Sequence, residues 1–137
     1  MATTPIYASG ALNIGMADVS TANTNVDGTG TIATVLTAGA SGTLIESIVV
    51  KGRVSTGSTQ AADTVRLFLH DGSTAKLWRD VAVAAGGGAI AAAVQNFETT
   101  IIPPPGFRLE TGWSLRASTH TGGATATYVV SAFGSDF

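Results

Sequence analysis

The sequence has no cysteine and little charge: Asp, Glu, Lys and Arg together make up 12% of its 137 residues. Without thiols there can be no disulfide framework, no thiolate zinc site and no thiol nucleophile. The charged fraction is about half the usual quarter for soluble domains, and Ala, Thr, Ser and Gly take its place. Seven basic residues, scattered singly, stand against nine acidic ones for a net charge of -2. That leaves no basic footprint for a phosphate backbone, so nucleic acid is not an expected partner. No run approaches the ~18 consecutive apolar residues of a membrane span, so no membrane partner is expected either. The stretch "MATTPIYASGALNIG" lacks the basic region and long apolar core of a signal peptide, so the chain is expected to be cytoplasmic when made. A neutral surface suits a Thr/Ser-coated sheet, or one covered by neighbouring subunits, because charge is depleted at the centre of protein interfaces.

What the sequence does have is alternation. In "TLIESIVVKGRV" (43 to 54), Leu44, Ile48, Val50 and Val54 share one face of a long strand, with Glu46 and Gly52 interrupting it. In "TVRLFLH", Val65, Leu67 and Leu69 alternate with Arg66, Phe68 and His70; in "KLWRDVAV", Leu77, Val81 and Val83 alternate with Trp78, Asp80 and Ala82. Between these two runs lies "DGST", whose Asp71-Gly72 is a strong hairpin signal. "FETTII" stops at Pro103, Pro104 and Pro105, which cannot donate ladder hydrogen bonds and should lead into a turn. "FRLETGWSLRAST" and "ATATYVVSAF" add the last strands. About eight strands at this spacing predict an all-β domain, a two-sheet β-sandwich with a jelly-roll plan.

Two segments fit less well. Residues 1 to 30, rich in Thr, Asn and Gly with weak strand signals at "IYA" and "ALNIGMADV", are expected to form an extended N-terminal arm on a sandwich spanning 31 to 137. Such an arm has little means of holding itself, so a partner should dock it. In "VAVAAGGGAIAAAVQNF" the three glycines favour a loop over a short helix.

Catalytic signals are weak. His70 and Asp71 are neighbours, but adjacent strand residues point to opposite faces, so Asp71 reads as the first turn residue rather than the orienter of a general base. His120 reads as an exposed loop histidine without ligand neighbours at metal spacing. The nine carboxylates are isolated in sequence, and "GTGT" and "GGGA" lack the lysine and context of a phosphate loop. Glu46, on a face that should be buried, needs a partner such as Arg66 or Arg79, or a subunit interface. Trp78 and Trp113 read as core; a sugar-binding alternative would place Trp78 on a concave face beside Arg79 and Asp80.

The succession "LIESIVVKGRVSTG", "ADTVRLFLHDGSTAKLWRDVAV", "TTIIPPPGFRLETGWSLRAST" and "TYVVSAFGSDF" resembles the capsid decoration (cement) and head accessory proteins of tailed bacteriophages, over residues 43 to 137. The resemblance implies a β-sandwich assembled as a homotrimer on the outer capsid surface of the virion, bound where subunits of the major capsid protein meet. It implies no catalytic residue, cofactor or metal. On this reading the partner contacts are expected at Ile6, Tyr7, Leu12 and Ile14 of the arm and in the loop at Gly86, Ala89 and Ile90. Deleting residues 1 to 14 should then leave a soluble fold that no longer binds particles. The alternatives are another virion component (neck, tail or fibre) and a carbohydrate-binding module.

Overall fold

A computed structural model describes residues 11–91 and 95–137. Among them are nine strands and no helix: β1 (Ala11–Val19), β2 (Ala33–Thr37), β3 (Thr43–Gly52), β4 (Asp63–His70), β5 (Ala75–Val83), β6 (Glu98–Ile101), β7 (Arg108–Leu109), β8 (Ser114–Thr119) and β9 (Tyr128–Asp136). They form two antiparallel sheets that pack as a β-sandwich, as the alternation predicts. The first runs β1-β9-β3-β6 with β7 also on β3, and the second runs β2-β8-β4-β5. Only β4 to β5 is a hairpin between neighbours in one sheet; β1 to β2, β2 to β3, β3 to β4 and β5 to β6 all cross between sheets.

The inner faces meet in one core. Ile48, Val50, Tyr128, Val130 and Ala132 from the first sheet face Val65, Leu67, Leu115 and Ala117 from the second, and all are fully buried. Inward residues recur at every second position, as the pleat requires.

Three bulges break that alternation. The β3–β9 register slips between Ile45 and Ser47, so Glu46 is the unpaired extra residue and is exposed. The slip brings Ile45 inward and moves Leu44 off the face it was expected to share. Glu46 therefore needs no partner, and the carboxylate facing Arg66 is Asp80, 3.7 Å from Arg66 Nε. In β5 the slip falls at Trp78, which turns toward the core while Leu77 is left exposed. In β2 it falls at Val35, so that Val35 and Leu36 are both buried. A bulge bends its strand and re-aims the side chain, which period-two reading misses.

The expected arm divides. Residues 11–19 are β1, an edge strand paired with β9 from Ala11↔Asp136 to Val19↔Tyr128, and so belong to the sandwich. Ladder hydrogen bonds to β9 explain why a weakly apolar segment is ordered as a strand. Gly15 lets β1 cross close to β2: a Cβ there would collide with the Val35 carbonyl oxygen and the Leu36 backbone. Ala22 and Asn23 then pair with the end of β8, Ala22 bridging Thr119 and Asn23 N donating to the Thr119 carbonyl (2.8 Å), and the segment passes on to the outer face of the second sheet. Arg66 Nη1 donates to the Asn23 carbonyl (3.2 Å), and Gly28 approaches the backbone of Ala75. Arg66 and Phe68, which point away from the core, are buried on this face.

The proline run leads into a turn, as expected, with Phe107 N donating to the Pro104 carbonyl at 3.1 Å and Gly106 at φ 75°. β6 pairs Ile48 to Lys51 and β7 pairs Thr43 and Leu44 on the same edge of β3. Residues 102–107 are an excursion that leaves and rejoins that edge beside the Glu46 bulge, with Ile45 N donating to the Phe107 carbonyl at 2.9 Å.

Candidate functional site

Among the described residues, the outer face of the first sheet carries a cluster of exposed apolar side chains. On β1 the odd residues Asn13, Gly15, Ala17 and Val19 turn inward, and Leu12, Ile14 and Met16 turn outward, 74%, 50% and 66% exposed. Phe133, opposite Ile14 in the ladder and 36% exposed, extends this apolar strip onto β9. Ion pairs stand at both ends of the sheet, Arg108–Glu110 (3.5 Å) at the β7 end and, at the other, Asp18–Arg53 (2.5 Å) and Lys51–Glu98 (3.0 Å). The β7 end is pinned by a polar knot in which Asn13 Nδ2 donates to Asp136 Oδ1 (2.8 Å), the Thr37 carbonyl and Thr43 Oγ1, and Thr43 Oγ1 also donates to Asp136. Hydrogen bonds from Thr43 and Asn13 hold the Asp136 carboxyl below the usual carboxylate range.

Of the expected contact residues, Leu12 and Ile14 fall on this strip. Ile6 and Tyr7 lie outside the described residues. The Gly86–Ile90 loop is fastened to its own domain: Gly86 N donates to the Gln60 carbonyl (2.8 Å), Ile90 N to Ser58 (2.8 Å), and Ala89 forms a bridge with Thr59. Ile90 is buried within its own domain rather than at the surface expected for it, while Ala89 is exposed and Gly86 half-buried. Met16 and Phe133 were not singled out from sequence, although Leu12, Ile14 and Met16 share the two-residue spacing of one strand face.

His70 and Asp71 do not form an acid–base pair. Asp71 Oδ1 accepts from the amides of Ser73 (2.9 Å) and Thr74 (2.8 Å), and His70 Nδ1 accepts from Gly72 N (3.1 Å). The amides of Thr74 and Ser73 hold the Asp71 carboxyl below its ordinary value. Gly72, at φ 92°, takes the left-handed turn position that L side chains rarely adopt. His120 is exposed, with Nδ1 3.2 Å from Arg66 Nη2.

The buried polar groups serve the fold. Asp63 takes the Thr119 hydroxyl on one oxygen and the amides of Thr64 (2.7 Å) and Thr121 (2.8 Å) on the other. Burial works against its charge, but these hydrogen bonds prevail and lower its pKa. Tyr128 nearby is driven above the normal phenol range by burial and by the Asp63 charge, and Gln60 Nε2 donates to its oxygen at 3.1 Å. Among the described residues no group of three or more His, Asp or Glu converges as metal ligands would, and no helix is long and apolar enough to cross a membrane.

Trp78 and Trp113 pack partly against the core but line a common cleft with Leu69, Leu77, Asp71 and Lys76. Arg79 and Asp80 face a different cavity, with residues 99–102. No protein family, curated protein or solved structure matches this chain.

Proposed function

We propose that this protein is a structural component of a tailed-phage virion, a decoration protein that docks on the outer surface of the head and ties subunits of the major capsid protein together, working as a homotrimer. The observation that carries this reading is the Leu12, Ile14, Met16 and Phe133 strip on the outer face of a low-charge sandwich. Burying a side chain of this kind is worth about 1.5–3 kcal/mol, so a few of them sustain a contact that symmetry then multiplies. The strand order β1-β9-β3-β6 against β2-β8-β4-β5 also suits a jelly roll, a plan used by viral shell proteins among others. The sequence resemblance over residues 43 to 137 points the same way.

The test is co-sedimentation of the purified chain with shells of the major capsid protein, alongside its copy number in particles from the encoding source. A copy number near that of the coat protein, or a simple fraction of it, is expected. An Ile14→Asp/Met16→Asp variant should remain folded and lose the shells. A handful of copies per particle would move the protein to the neck or tail, and undiminished binding by the variant would remove the strip from the interface.

A further inference from the structure

The cleft between Trp78 and Trp113 is a separate feature from the apolar strip. Trp78 is the bulged residue of β5, and its ring is backed by Phe107, just before β7, with centroids 4.8 Å apart and planes 30° from parallel. This stack joins the edge strand of one sheet to the edge segment of the other and fixes the indole. Trp113 is held through its backbone, its N–H donating to the Glu110 carbonyl and its carbonyl accepting from Ala38 N, both at 2.9 Å. Leu69 and Leu77 complete an apolar lining, and Asp71 and Lys76 stand at the rim around a cavity of about 210 Å³. The Asp71 carboxylate is held in place by two turn amides.

We propose that this cleft binds one neutral pyranose ring of a glycan. Its C–H face would lie on indole, and its hydroxyls would donate to Asp71 and accept from Lys76. The space equals that of about seven waters, the scale of one sugar ring. An apolar lining attracts C–H surface, while a rim offering one acceptor and one donor of opposite charge suits a ligand that both donates and accepts. A purely apolar ligand would desolvate the rim without return, and an ionic one would meet a like charge on one side. The inference does not depend on the virion reading, and its test uses the isolated chain.

Saturation-transfer NMR of the full chain against a panel of methyl hexopyranosides and methyl N-acetylhexosaminides is the direct measurement. At least one should receive saturation at its ring C–H protons, with a concentration-dependent change in tryptophan fluorescence. Trp113→Ala should weaken that sugar by about tenfold or more, as loss of an aromatic anchor does. Lys76→Ala, which leaves the rings in place, should weaken it by a smaller factor with an unchanged melting temperature, and this keeps the test open if Trp113→Ala fails to fold. The proposal is overturned if no glycoside in the panel receives saturation, if both variants bind as the parent does, or if cyclohexanol is taken up in place of the sugars.

Discussion

Asp63 shows how much one carboxylate can organise. It satisfies the Thr64 and Thr121 amides and the Thr119 hydroxyl where β4 begins and β8 ends, beneath Tyr128. Its folded pKa lies below the unfolded value of about 3.9, so its contribution is fully present above that pH and is lost as pH falls through the folded pKa. Urea unfolding should therefore show stability falling as the pH drops below about 4, with the exposed Asp71 and the half-buried Asp136 adding to the same limb. Asp63→Asn should lose about 1–3 kcal/mol at neutral pH, the range for breaking a buried charged hydrogen-bond set, and should show a shallower acid limb. An equally steep limb in the variant would assign the effect elsewhere. His70 is the opposite case. It accepts one turn amide at the surface, and His70→Ala should change stability by no more than about 0.5 kcal/mol in the same assay.

The elements were legible wherever apolar alternation and turn chemistry agreed. β3, β4, β5, β8 and β9 can be read from their runs, and the Asp71-Gly72 hairpin from its turn residues. Three features were not legible. A bulge leaves no mark on composition, so Glu46 read as an inward charge and Leu77 as sharing a face with Val81 and Val83, when Glu46 and Trp78 are each the residue inserted by a register slip and Leu77 is exposed. β1 is weak by pattern because only one of its faces meets the core, and its order comes from β9 and from contact with β2 across the sandwich. The proline run ends a strand and enters a turn as its residues predict, but that the chain then rejoins the same edge of β3 is not written in them. The β1–β2 crossing is tested by Gly15→Ala, which should cost about 1–3 kcal/mol by overpacking against backbone. Gly87→Ala, where a Cβ meets nothing within 4 Å, should leave the urea midpoint nearly unchanged.

At the scale of the whole molecule the balance is neutral. A net charge of -2 on 137 residues, with an apolar strip running between ion pairs at the two ends of its sheet, describes a surface that offers a partner burial more than net charge. On the proposed virion role, binding to coat shells should vary by less than about threefold between low and high salt, since screening acts on charge pairs and leaves apolar burial largely intact. A steep loss of binding with salt would point instead to the ion pairs at the ends of the sheet. Because residues 11–14 belong to β1, the truncation that tests the N-terminal segment ends at residue 10. The longer deletion of residues 1 to 14 would cut into a paired strand and confound particle binding with stability.

The sequence by itself determined the all-β class, the central strands and their hairpin, and a surface with little charge, because each of these is local: period, turn residues and composition. Tertiary structure decided which side faces water in the bulged strands β2, β3 and β5, because one inserted residue reverses that assignment. It decided that "ALNIGMADV" is a strand, because β9 supplies its hydrogen bonds. It also brought Trp78 and Trp113, distant in sequence, to the two sides of one cleft, through the bulge in β5 and the meeting of two turns that no linear pattern records.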